Sequence, residues 1–183
     1  MNLTRESKFL ALVLRHNPDR IGIRLDAAGW VEVDILLAAL RQHGHDLTRG
    51  QLDSVVADND KKRYEYDESG TRIRASQGHS VQVDLGYAPA EPPATLYHGT
   101  ATGTVDAIFR EGLKPGRRHH VHLSADVETA TKVGARHGRP AVLIVDAARM
   151  RADGRVFYRS TNGVWLIDHV APAYLTRGVG AVA

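Results

Sequence analysis

The chain has no cysteine, which excludes disulfide scaffolding, thiolate catalysis and cysteine-ligated zinc, and makes any redox chemistry depend on a bound cofactor. No apolar run approaches the roughly 20 residues needed to span a bilayer. The opening "MNLTRESKFLALVLRHNP" is interrupted by charge where a signal peptide would be apolar, so the expectation is a cytoplasmic protein with no membrane segment. The dinucleotide fingerprint G-x-G-x-x-G and the phosphate-cradling G-x-x-x-x-G-K are also missing; a dinucleotide would have to be held by another fold. Internal repeats, low-complexity tracts and coiled-coil heptads are absent, and the chain reads as a monomer.

What is present is enough for a folded core: 183 residues, 43% hydrophobic, fitting one domain or two small ones. The net charge of +3 understates the polarity, because ten further histidines can join positive clusters. Such a balance points to an anionic partner only if the cations converge on a site.

Phe9, Leu10, Val13 and Leu14 predict a helix over about Glu6 to His16, ended by Asn17-Pro18 because the residue before proline avoids helical angles. "DAAGW" reads as a turn, Asp34 as the cap of a helix through Leu40, and Thr48 with Gln51 as a capping box opening a third helix through Val56. "KRYEYDESGTRIRAS" reads as a hairpin turning at Glu68-Ser69-Gly70. Helices followed by a basic hairpin suggest a winged helix. Pro89, Pro92 and Pro93 then suit a stiff linker between Val81 and Thr95, which divides the chain into residues 1–85 and 86–183. The second part alternates short elements: a strand "ATLYHGT", a helix from Thr104 to Glu111 closed by Gly112, a strand "HHVHLS", a helix from Asp126 to His137 and a buried strand "PAVLIVDA". The fold class is α+β.

Several clusters carry chemistry. "RRHHVHLS" packs two arginines and three histidines into eight residues, and on an extended strand Arg118, His120, His122 and Ser124 share one face. An H-x-H pair with no carboxylate nearby is a weak zinc signal and equally suits a solvated strand face. Arg15 and His16 fall in a last helical turn, where the helix dipole favours cations. Arg63 lies in "NDKKRYEY", and Gln77, His79 and Ser80 follow the hairpin. In "LYHGT", Gly99 between His98 and Thr100 permits close approach of a ligand to the backbone, although a strand ending in a turn is an equal reading.

Taken in order, "LRHNPDRIGIRLDAAGW", "NDKKRYEY", "IRASQGHS", "LYHGT", "RRHHVHLS", "VGARHGRPAVLIVDA" and "GVWLIDHVAP" resemble the RNA (tRNA) 2'-phosphotransferase family, from about Ser7 to Leu175. The resemblance implies an N-terminal winged-helix lobe for RNA binding and catalysis, and an ADP-ribosyltransferase-like lobe that binds NAD, with the site in the cleft of the two. It implies NAD as a consumed co-substrate and RNA with an internal 2'-phosphate, such as tRNA splicing leaves, as the partner. The phosphate attacks the anomeric carbon of the nicotinamide ribose; the ribose 2''-hydroxyl then attacks phosphorus, giving RNA with a 2'-hydroxyl and ADP-ribose 1'',2''-cyclic phosphate.

By motif match, the resemblance makes Arg15, His16, Arg63 and Arg118 the catalytic set and Lys61 an auxiliary cation. Arginines suit a phosphoryl centre whose charge spreads over its oxygens, and His16 has the ordinary pKa to manage a proton. His98, Gly99, Thr100, His122 and Ser124 are implied to hold NAD, and Gln77, Gly78, His79 and Ser80 to contact RNA or phosphate. Ser76 stands where that family is expected to carry asparagine. No metal is expected, since arginines already supply cations. Two other readings compete: an ADP-ribosyltransferase that caps nucleic-acid phosphate ends, and a winged-helix nucleic-acid-binding regulator that ignores NAD.

Overall fold

The structure is a computed structural model that describes residues 3–58 and 62–178. It combines helices with small antiparallel sheets and divides into two compact units, Met1–Gly86 and Tyr87–Ala183.

In the first unit, α1 (Leu3–Arg15) buries Leu10, Val13 and Leu14, the one face that its apolar spacing creates. Pro18 stops the helix and starts a 3-10 turn, Pro18–Ile21, closed by Gly22 at φ 68°. Strand β1 (Val31–Glu32) leads into α2 (Val33–Gln42), which contributes Leu36 and Leu40. The expected cap at Asp34 is not formed: Glu32 occupies the cap position, Asp34 sits in the first turn, and the Val33 N–H is satisfied by the Thr71 carbonyl at 2.8 Å. A backbone acceptor from the hairpin replaces the side-chain cap. Helix α3 (Arg49–Ala57) does open with the Thr48–Gln51 capping box, both reciprocal bonds being present. Strands β2 (Tyr64–Tyr66) and β3 (Arg72–Ala75) form the hairpin, with Gly70 at φ 68° and the Asp67 carboxylate accepting from the Thr71 and Arg72 N–H groups. The sheet order is β1-β3-β2, all antiparallel, and Ile73 and Ala75 meet the helices in one core.

In the second unit, β4 (Thr95–Ala101), β6 (Pro140–Asp146) and β9 (Leu175–Arg177) form one sheet in the order β4-β6-β9. Strands β5 (Val121–Leu123), β7 (Tyr158–Arg159) and β8 (Trp165–Ile167) form another, in the order β5-β8-β7. Reciprocal backbone bonds between Tyr97 and Ser124, at 2.9 and 2.7 Å, join them. Helices α4 (Val105–Glu111), α5 (Val127–Gly134) and α6 (Ala147–Ala152) complete the unit. Gly112, at φ 82°, closes α4 in the left-handed half of conformational space. Helix α5 ends at Gly134 rather than His137, and Ala135 to His137 form the turn after it.

The proline-rich span is not a free linker. Ser80, Val81 and Asp84 donate to the Arg15 and Ala27 carbonyls of the first unit, and Ala90 donates to Phe157 of the second. Among the described residues, no helix is long and apolar enough to cross a membrane.

Candidate active site

The first cluster forms where α1 ends. The Arg15 carbonyl accepts the Ser80 N–H at 2.9 Å and the Val81 N–H at 3.3 Å. The Arg15 guanidinium reaches the Arg63 carbonyl at 3.5 Å, and that carbonyl also accepts the Ser76 N–H at 2.8 Å. His16 Nδ1 lies 2.9 Å from Ser80 Oγ. Three segments distant in sequence, 15–16, 62–63 and 76–80, are thereby tied together by main-chain carbonyls. Both Arg15 and His16 stand at the negative pole of the helix dipole, which favours cationic side chains.

Ser76 is 1% exposed and donates from Oγ to the Lys62 carbonyl at 3.0 Å, so its role in this chain is to anchor the approach to Arg63. Lys62 itself has φ 38°, uncommon for a residue with a Cβ. Gln77 and Gly78 are half-buried and Ser80 is exposed, whereas His79 is 3% exposed and packs against Gly29. His79 therefore anchors its loop from inside. Lys61 lies outside the described residues. Tyr64, next to Arg63, is buried, and that burial raises its pKa.

The second cluster is built on strands. His98 Nδ1 donates to the His122 carbonyl at 3.1 Å, which fixes the proton on Nδ1 and leaves Nε2 as an acceptor. Burial is the main cause that lowers its pKa, with the nearby His137 adding to the effect, so His98 is neutral at pH 7. Thr100 follows on the same face of β4, and its Oγ1 lies 2.7 Å from Thr104 Oγ1. Ser124 is fixed against Tyr97 by the bridge described above.

Gly99 has a different job from the one its spacing suggested. A Cβ at this position would lie 1.7 Å from the Ala130 carbonyl oxygen, and one at Gly134 would lie 2.6 Å from the Thr100 carbonyl oxygen. What approaches the backbone on that side is α5, not a ligand.

The "RRHH" stretch is corrected in the same way. Gly116 (φ 64°) and the Arg118 N–H bond to Pro115 make a turn, and the ladder with β8 covers only Val121 to Leu123. Arg118, His119 and His120 thus precede the strand, and Arg118 does not share a strand face with His122. It reaches His122 by donating from Nη1 to Nδ1 at 3.3 Å. Burial, then the charge of Arg136, lowers the Arg118 pKa, and the group stays protonated. Burial also lowers that of His120, whose ring meets Tyr158 at 5.7 Å. Arg136 and His137 were not singled out from sequence as site residues, though "VGARHGRP" carried the signal. Among the described residues, no group of three or more His, Asp or Glu side chains is placed to hold a metal ion.

An α+β chain with one cation cluster at a helix end and a second, histidine-rich cluster on strands is suited to handling phosphate-bearing substrates. The comparisons with known proteins specify the family. A family model described as "RNA 2'-phosphotransferase, Tpt1 / KptA family" matches residues 2–169. A probable RNA 2'-phosphotransferase of Streptomyces coelicolor is 59% identical over 169 residues, covering 92% of each chain. Probable RNA 2'-phosphotransferases of Agrobacterium fabrum (57% identical; 94% of this chain and 93% of the relative) and Trichormus variabilis (53%; 92% and 93%) are also similar. The chain belongs to the RNA 2'-phosphotransferase family.

Proposed function

We propose that the protein is an NAD-dependent RNA 2'-phosphotransferase, its first unit a winged-helix lobe that engages RNA and its second an ADP-ribosyltransferase-like lobe that binds NAD. It converts an RNA internal 2'-phosphate and NAD into RNA with a 2'-hydroxyl, ADP-ribose 1'',2''-cyclic phosphate and nicotinamide. The observation that carries this reading is the tie between Arg15, His16 and the Arg63 segment, which preorganises cations and a proton-transfer group at one helix end.

NAD supplies an activated anomeric carbon with nicotinamide as the leaving group. The second unit suits it: neutral His98 offers Nε2 as an acceptor for a nucleoside hydroxyl or amine, with Thr100, Ser124 and His122 beside it. The phosphate monoester is already an anion, so no base is needed to create the first nucleophile. Arg15 and Arg63 hold the phosphate oxygens and stabilise the charge that develops on them; Arg118, from the second unit, has the same chemical role, and Lys61 assists. With its Nδ1 engaged by Ser80, His16 presents Nε2 to take the 2''-hydroxyl proton or return it to the departing RNA 2'-oxygen. Gln77, Gly78 and Ser80 contact RNA on a loop that His79 anchors.

The test is incubation with NAD and a short RNA carrying one internal 2'-phosphate, with products resolved by mass. Dephosphorylated RNA plus the cyclic phosphate supports the reading. ADP-ribosylated RNA that never resolves, or untouched NAD, overturns it.

A further inference from the structure

Away from the clusters above, the first unit carries a shallow groove of about 350 Å³ lined by Arg5, Lys8, Phe9, Leu12, Arg20 and His45. Its floor is half-buried and apolar, and its rim is cationic: Arg5, Lys8 and Arg20 are exposed. The floor is braced from within. His45 stacks on Phe9 with ring centroids 3.7 Å apart, the Arg20 guanidinium covers Phe9 at 5.8 Å, and His45 Nδ1 is held 2.7 Å from the Glu6 carboxylate. Planar groups are thus already aligned along the groove.

Its position relative to His16 is set by the helix. Lys8, Leu12 and His16 are spaced by four residues, and the His16 N–H bonds the Leu12 carbonyl at 2.9 Å, so the helical repeat runs through His16. The groove therefore lies on the face of α1 that ends at the proposed proton-transfer residue. From Lys8 to His16 the axial distance is about 12 Å at about 1.5 Å per residue, roughly three to four nucleotides at about 3.4 Å each.

We infer that this groove is an extended binding site for single-stranded RNA, taking the few nucleotides that flank the reactive 2'-phosphate. Lys8 and Arg20, with Arg5, meet backbone phosphates, while the Arg20 guanidinium and the His45–Phe9 stack offer flat surfaces to bases, the usual combination for a single strand. The inference rests on the proposed function for its RNA substrate.

The experiment compares the wild type with the double variant K8A/R20A on two substrates, a 2'-phosphorylated dinucleotide and a ten-nucleotide RNA carrying the same group. The ratio of kcat/KM for long over short substrate should fall about tenfold in the variant, and the salt slope on the long RNA should flatten by about 1.4, the 0.7 expected for each of two lost phosphate contacts. An unchanged ratio overturns the inference. Binding of an unmodified ten-nucleotide RNA, followed by fluorescence anisotropy without NAD, tests the groove even if no turnover occurs: weaker binding by the variant supports it, and equal binding refutes it. Competition by poly-glutamate as strong as that by RNA would make the surface a generic polyanion or acidic-peptide site and would also refute it. Unchanged circular dichroism of the variant separates these outcomes from misfolding.

Discussion

The two units hold their candidate residues by opposite means. In the first, Arg15, His16 and Arg63 sit at a helix end and before a short strand, fixed by carbonyls that accept from neighbouring segments. In the second, His98, Thr100 and Ser124 lie on or beside strands, and the backbone of β4 touches α5 so closely that only glycine fits at Gly99. The difference teaches where function and stability separate. Side chains at the end of α1 can change without disturbing the core beneath, whereas β4 carries site and fold together.

Substitutions can sharpen or break that contrast. The largest effect should come from His16→Ala: turnover of the 2'-phosphorylated RNA falls about a thousandfold, as expected for loss of a positioned proton-transfer group, with the melting temperature nearly unchanged. An equal loss of stability would mean that the helix end is structural. Gly99→Ala should behave in reverse, destabilising the protein by about 3 kcal/mol or more in denaturant titrations, because the added carbon has no room beside the Ala130 carbonyl. Preserved stability there would break the contrast outright.

The buried His98 predicts a pH dependence. Its pKa is lowered from 6.5 in the folded state, so below about pH 6.5 the unfolded chain binds the proton first. Stability attributable to this group is full above 6.5 and is lost as pH falls toward its folded pKa. His98→Gln should flatten that part of the stability profile, and a profile identical to wild type would contradict the assignment. The smallest effect is expected from Thr48→Ala, which removes one half of the capping box and should cost about 1 kcal/mol of stability while kcat stays near wild type.

Local signals in the sequence were read well where the cause is local. Asn17-Pro18 ends α1, Thr48 and Gln51 cap α3, and Gly112 closes α4. Misreadings arose where a distant segment decides. Thr71 takes over the cap expected of Asp34, and the three-residue ladder with β8 leaves Arg118 to His120 in a turn. Short elements such as β7 and α6 are held by tertiary pairing and carry little periodicity of their own. For the candidate site, residue types and order were legible, but their joining was not: the bond from His98 to the carbonyl of His122 spans 24 positions, and that from Arg15 to Arg63 spans 48. Gly99 shows the limit most clearly, since sequence marks that something comes close without saying what.

The central claim is that the internal phosphate leaves RNA by transfer to NAD-derived ribose. Its most direct test follows a heavy-oxygen label in the non-bridging oxygens of the 2'-phosphate through a single turnover with NAD. The account predicts that the label appears in ADP-ribose 1'',2''-cyclic phosphate, matched one for one by released nicotinamide. Label found instead in free inorganic phosphate, with NAD intact, would contradict it.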